Sequence, residues 1–334
     1  MNEIRKQKGG FIRPFILYLL FLLIFVVYPG YNIGAYNLYQ QPGKLYPAFC
    51  ICFPTNKIGW IAGHFGKIWH TKDGGKTWIL QDSHTTSNIA DIYFVDAKNG
   101  WAVGYSGLII HTKDGGKTWI RQKSPFKYFW KSVYFKNKRD GWIVGEMGTV
   151  LSTNNGGITW KVLITGDDLI FNSITFSPDG HAWAAGEFGV IYSSNDSKRW
   201  FLQDNGIASK DNTVWSISYI GNNQVIAVGI ASLLLFKDSY KDKWHFINSL
   251  KLINGDRSIF RILKFKNKLI VIGQKNIYYS EDPYGPWKKA KLQGHLMYGE
   301  WLYDVWNNGK SVWVLGVKGS IYYSNNGIEW KKVK

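Results

Sequence analysis

The chain has 334 residues, a formal net charge of +18, and 17 Trp, 20 Tyr and 19 Phe. A positive excess of this size bears on partners and solubility, not on fold. The basic residues compose no recognised nucleic-acid module, and nucleic acid is set aside as a partner.

The amino terminus carries Arg5, Lys6, Lys8 and Arg13 against one acid, Glu3, and runs into an uncharged stretch from Pro14 to Tyr28. A basic segment before an apolar run of this length is a secretory signal or a short retained anchor. Spanning takes about 20 residues, with about 17 as the lower limit. The run is short, yet the best small-residue cleavage signal, Ile33-Gly34-Ala35, is weak, and no Cys follows closely enough for lipid attachment. Retention is the preferred reading. Residues 1–35 are a cytoplasmic basic segment plus anchor or signal helix, 36–45 a linker, and 46–334 a domain on the extracytoplasmic side, secreted if the signal is cleaved.

From there the chain repeats itself. Gly59 to Trp78, GWIAGHFGKIWHTKDGGKTW, returns at Gly100 to Trp119 and at Gly141 to Trp160, an offset of 41 residues each time. The Gly63 position recurs at 104, 145, 186, 229, 273 and 316, which makes seven units. A period near 40–50 residues is the signature of a propeller or solenoid. Each unit reads as four short strands bounded by Gly, Asn and Asp: a β-branched and aromatic run such as DIYFV, a GWxVG strand, a GxIxxT strand and a Trp-led strand. Sheets of this kind bury both faces when arranged radially. The expected fold is all-β, a seven-bladed β-propeller of four-stranded antiparallel blades. Its last blade closes either by Trp330 to Val333 alone or with help from Tyr36 to Gln41 at an edge.

Within the first, innermost strands, Cys50, Asp91, Ser132, Ser173, Ser216, Arg261 and Asp304 occupy one position and are expected to line the central channel. Cys50 and Cys52 point to the same face of one strand, at the upper limit of bridging distance, and read as buried thiols. His70 and His111 occupy equivalent strand positions and read as packing residues.

The segment TKDGGKTW, at Thr71 to Trp78 and Thr112 to Trp119, has three chemical look-alikes. A phosphate-binding loop needs a Gly where His70 and His111 stand, and a following helix. A calcium loop needs alternating carboxylates and a terminal Glu. A catalytic Asp would not be replaced by Asn155 and Asn326 in sister repeats. What fits every copy is a turn. Asp73, Asp114, Asn155 and Asp196 fold onto backbone N–H groups, Gly supplies positive φ, and Trp78, Trp119, Trp160 and Trp200 plug the hairpin. No metal, cofactor or catalytic residue is assigned.

These residues carry a family resemblance. S/T-x-D-x-G-x-T-W resembles the Asp box, or bacterial neuraminidase repeat, and GWxVGxxGxIxxTxDGGxTW is similar to the repeats of the photosystem II stability and assembly factor family. The resemblance implies a seven-bladed exported propeller that escorts subunits of a membrane complex. The same box raises sialidase, but the nearest string to its F/Y-R-I-P motif is Phe11 to Pro14, in the wrong order and inside the export segment.

Loops on a rigid scaffold carry function more often than the scaffold does. The links between blades vary most, and QKSPFKYFW gathers Phe126, Tyr128, Phe129 and Trp130 beside Lys123 and Lys127. Exposed aromatics with cations are typical interface anchors. Glu146, Glu187 and Tyr298 belong to the same face. The functional expectation is a membrane-tethered, non-enzymatic binding scaffold whose client is a membrane-associated protein, with an anionic lipid surface as the competing partner for the charge. The alternative is a glycan-active hydrolase using Glu146 and Glu187, or a glycan-binding surface protein.

Overall fold

The structure is a computed structural model that describes residues 48–207, 209, 211–255, 257–293 and 301–333. The basic segment, anchor, linker, Tyr36 to Gln41 and Tyr298 lie outside the described residues. Among the described residues no helix is long and apolar enough to cross a membrane.

Seven antiparallel sheets follow one another along the chain, and six of them have four strands. Their innermost strands are Ala48–Cys52, Ile89–Phe94, Trp130–Phe135, Phe171–Phe176, Val214–Gly221, Ile259–Phe265 and Leu302–Asn307. These strands define blades 1 to 7. The sequence pattern explains the pairing. In blade 2, Gly100 of the second strand lies opposite Phe94 of the first, and a Cβ on Gly100 would stand 2.4 Å from that ring. The absent side chain makes room for the Phe, which stacks 3.5 Å from Trp60 of blade 1. Trp101 stacks on Phe135 of blade 3 at the same 3.5 Å.

The glycine that set the register also has a steric reason. Gly104 is extended, at φ −179°, so its conformation suits any residue. Space decides instead, because a Cβ there would lie 2.0 Å from the carbonyl oxygen of Asn88 in the incoming link. Gly145, Gly186 and Gly229 face the same obstruction at 2.0–2.1 Å. Hence the glycine persists where the rest of the repeat has worn away.

Blade 7 departs from the expected four strands. Glu329–Lys332 completes it antiparallel to Ile321–Ser324, and Lys291–Gln293, part of the link from blade 6, adds a fifth strand parallel to it. The ring closes by side-to-side packing of complete blades. Asp304 accepts the N–H of Ile51 at 2.9 Å, Trp306 Nε1 donates to the Phe53 carbonyl at 3.0 Å, and Phe53 stacks on Trp313 with ring centroids 4.4 Å apart.

Candidate functional site: the face of the blade links

Hydrogen bonds sort the loops onto two faces. Gly74, Gly115 and Gly156 of the Asp boxes donate to Lys57, Lys98 and Arg139 in the turn between the first two strands of their own blades. Boxes and these turns therefore share a face. On the other face, the turn after each second strand meets the incoming link, as Tyr105 N does with Asn88 O and Glu146 N with Phe129 O.

The link 121–130 is packed down more firmly than its composition suggests. Lys123 and Lys127 are exposed, and Phe126 and Tyr128 are half-buried and stacked on each other at 4.6 Å. Phe129 and Trp130 are buried, with Trp130 wholly so, which corrects their reading as exposed anchors. Trp130 begins the inner strand in the register of Ile89, Phe171 and Val214, all buried core positions. That alignment was available in the sequence and is the signal that separates Trp130 from Tyr128. Its indole Nε1 donates to Ser124 Oγ at 3.0 Å, and Phe129 stacks on Tyr105 at 4.0 Å. The exposed part of the link is thus Arg121, Lys123, Pro125, Lys127 and the edges of Phe126 and Tyr128.

Glu146 and Glu187 stand at equivalent turns and do equivalent work. Glu146 Oε2 accepts the N–H of Phe129 at 2.8 Å, and Glu187 Oε2 that of Ile170 at 2.9 Å. Gln274 serves Ser258 in the same way at 3.2 Å, so an amide can fill the role that the two acids fill. Burial raises the Glu187 carboxyl above its ordinary range.

The innermost position is a ring of cross-blade contacts. Asp91 accepts Val133 N at 2.9 Å and the Ser132 hydroxyl at 3.1 Å. Ser173 accepts Ile217 N, Ser216 accepts Ile262 N, and Arg261 pairs with Asp304 at 2.9 Å. Burial, reinforced by the neighbouring Asp304, pushes Asp91 up to about 7. Burial also raises Asp304, with Arg261 opposing it. Lys131, one residue before this ring, is lowered to about 8 by burial and by Arg261. Cys50 and Cys52 are free, buried thiols.

The Asp boxes have the geometry of turns. In blade 2, Thr112 Oγ1 donates to Asp114 at 2.8 Å and accepts Gly116 N at 2.8 Å, while Asp114 accepts Thr118 N and Oγ1 at 2.9 and 2.7 Å. Asp73 repeats this pattern in blade 1, and hydrogen bonds from Thr77 lower it to about 2. In blade 3 Asn155 accepts Thr159 N at 3.0 Å, and its amide donates to Thr159 Oγ1 at 2.8 Å, so the hydroxyl reverses its role. Asp196 in the shortened blade 4 copy accepts Lys198 N and Arg199 N at 2.9 and 2.8 Å. Trp119 and Trp200 are buried, and Trp78 and Trp160 partly so. The boxes have a second role that sequence reasoning missed. The Gly115 carbonyl accepts Trp60 Nε1 at 3.3 Å and Gln81 Nε2 at 2.9 Å from blade 1, and Gly156 accepts Trp101 and Gln122 of blade 2 likewise. The boxes of blades 2 and 3 are thus clamps between blades. The Gln one residue after IL and IR in the outer strands was the visible signal.

Among the described residues, no three His, Cys, Asp or Glu side chains are grouped to hold a metal. His70 and His111 stack on Trp60 and Trp101 at 4.7 and 4.4 Å, and burial lowers both to about 4.

Comparison with known proteins agrees with this architecture. The sequence profile of the photosynthesis system II assembly factor YCF48 family matches residues 78–170. No curated protein matches the chain in sequence. Among solved structures, YCF48 bound to D1 peptide superposes with TM-score 0.68 at 16% identity, covering 83% of this chain and 90% of that one. YCF48 from Cyanidioschyzon merolae gives 0.67 at 20%, covering 83% and 94%. A GH74 xyloglucanase from Xanthomonas campestris gives 0.68 at 11%, covering 86% of this chain but 54% of its own length. At these identities the superpositions speak for the fold. With the profile match and the box geometry, the chain is an Asp-box propeller that resembles the photosystem II stability and assembly factors.

Proposed function

We propose that the protein is a non-enzymatic binding scaffold whose client is a protein, docked on the face of the blade links. The observation that carries this reading is the YCF48 profile match over residues 78–170, since a solved YCF48 holds a D1 peptide. Rim cations Lys123 and Lys127 beside half-buried Phe126 and Tyr128 supply an anchor of the kind found at interfaces. The net charge of +18 steers acidic segments toward the molecule. The basic-then-apolar order of the first 28 residues supports a position at the outer side of a membrane, tethered by that segment. Crosslinking and pull-down from membranes tests the client. A Lys123→Ala/Lys127→Ala/Tyr128→Ala variant should lose a discrete partner that the wild type retains. Retention of the same partner by that variant moves the docking site elsewhere. Protease added to intact spheroplasts should digest the propeller; protection until lysis would refute the orientation.

A hydrolase is the second reading, favoured by the GH74 fold match. Against it, Glu146 and Glu187 each commit an oxygen to a backbone N–H, a role that Gln274 fills equally well. Glycan release by the purified protein, abolished by Glu146→Gln or Glu187→Gln, would establish it.

A further inference from the structure

The opposite face, made of Asp boxes, has a character that the proposed function leaves unused. In blades 1 and 2 each box reads K-D-G-G-K-T, so two lysines flank one aspartate. Lys72, Lys76, Lys113 and Lys117 are all exposed, and none forms an ion pair among the described residues. Both aspartates are turned into their own turns, accepting hydrogen bonds from the flanking threonines. Backbone hydrogen bonds from Gly74 and Gly115 join the boxes to the turns at Lys57 and Lys98, which are exposed too.

Beside these cations stand aliphatic side chains that a soluble surface does not need. Ile79 and Ile120 follow the box Trp residues of blades 1 and 2 and are 63% and 65% exposed. Ile158 takes the place of the second box lysine in blade 3 and is 74% exposed. Single exposed apolar residues are ordinary. Three of one kind in three successive blades, each at or next to a box, are a pattern. Blade 4 keeps a variant of it, with Phe201 59% exposed directly after Trp200 and Lys198 and Arg199 in its box, whereas blade 7 has Asn326 and Gly327 in its box and Lys331 after its Trp.

We infer that the Asp-box face of blades 1 to 3 is a membrane-surface binding face, which rests on anionic phospholipid through its box lysines and inserts Ile79, Ile120 and Ile158 among the headgroups. Two features favour lipid over an acidic protein. The cations are spread along an arc of adjacent blades and do not converge on a pocket, which suits a diffuse negative plane, where each lysine near the surface adds favourable attraction. The isoleucines fall one to a blade, each at or next to a lysine-bearing box or its equivalent, which suits shallow insertion at an interface. Such a pose turns the blade-link face away from the bilayer, where a client can reach it. The inference does not depend on the client or on an amino-terminal anchor.

The test places an environment-sensitive dye in the full-length protein at Ile120→Cys or Ile158→Cys, the two native thiols being buried. A control carries the dye at Lys123→Cys on the opposite face. With vesicles of equal parts phosphatidylglycerol and phosphatidylcholine, the box-face dyes should shift to the blue and the control should not. Pure phosphatidylcholine should leave all three unchanged. Replacing Lys72, Lys76, Lys113 and Lys117 by Gln should raise the lipid concentration needed for the shift by about tenfold or more, with near-ultraviolet circular dichroism unchanged. The inference fails if the box-face dyes stay aqueous, if the control shifts equally, or if neutral vesicles suffice. It also fails if a poly-glutamate peptide shifts the dyes as vesicles do, which would assign the face to an acidic protein. None of these outcomes touches the client pull-down, so the two readings stand or fall separately.

Discussion

Blades 1 to 3 and blades 5 to 6 have one backbone plan and two ways of holding neighbours together. In the first group, indole–phenyl stacks at 3.5 Å and clamps from Trp and Gln to box carbonyls join blade to blade. In the second, the contact is an aliphatic cluster that includes Ile226, Val228, Leu234, Ile262, Leu269 and Val271. Blade 5 has Ile226 where blade 2 has Trp101, and Lys237 where blade 2 has Thr112. The propeller therefore depends on the turn glycine and the inner strand, which both groups retain. The Asp box is one of two workable interfaces.

Deletion of the stacking residue should separate the two groups most strongly. Trp101→Ala is expected to cost about 3–5 kcal/mol, and Ile226→Ala to fall in the lower part of about 2–5 kcal/mol. Only the Trp variant also removes a clamp bond, leaving the Gly156 carbonyl with Gln122 alone. Urea midpoints of the two variants decide it. A greater loss for Ile226→Ala would mean that the aliphatic interface, not the stacked one, holds the ring.

The turn glycine should erase the difference. Gly104→Ala and Gly229→Ala each drive a Cβ to 2.0 Å from a link carbonyl, Asn88 or Thr213. Overpacking of this kind costs about 1–3 kcal/mol, and the two losses should agree. If Gly229→Ala is harmless, blade 5 has a looser link than its contacts indicate.

Histidine supplies a pH dependence that the worn blades lack. His70 and His111 bury Nε2 without a hydrogen-bond partner and titrate near 4, below the ordinary 6.5. Between about pH 6.5 and 4 the unfolded chain binds protons that the folded one refuses, so their contribution is lost as pH falls through that window. Asp91 acts in the opposite sense. Raised from 3.8 to about 7, it holds a proton in the fold and loses stability as pH rises across that range. Blade 5 carries Phe236 at the histidine position. A His70→Phe/His111→Phe variant should therefore keep its stacks and show thermal midpoints that fall from pH 4 toward 7. Midpoints that still rise with pH over that range would show that other groups govern the acid limb.

How legible the molecule was follows the same division. Seven units and their strands could be read because the glycine register has a steric cause and recurs in every unit. Asp91 and Asp304 could be placed in the inner ring because position alone determines that. The fifth strand of blade 7 was not legible, since Lys291–Gln293 carries no β-branched run and only one apolar side chain, Leu292, to pack against the blade. The link 121–130 misled in part because adjacent aromatics look alike in sequence, while Trp130 is already strand and Tyr128 is still loop. The exchange of a Trp stack for an aliphatic cluster in blade 5 removes the repeat motif without loss of burial, since Ile226, Val228 and Leu234 are as buried as Trp101.

The smallest expected effect is the most informative about chemistry. Asp114→Asn should cost under about 1 kcal/mol, the worth of converting charge-assisted hydrogen bonds into neutral ones. Blade 3 shows why: Asn155 keeps the bond to Thr159 N and recovers the other by donating to the Thr hydroxyl. Asp114→Ala has no such recourse. It strands Thr118 N and both threonine hydroxyls at the turn, and should cost about 1–2 kcal/mol, as loss of a capping side chain does. The reverse exchange, Asn155→Asp, should be close to neutral. Thermal midpoints of the three variants rank them directly. If Asp114→Asn proved as costly as Asp114→Ala, the negative charge itself would be required, and the box would be holding something cationic that a turn does not explain.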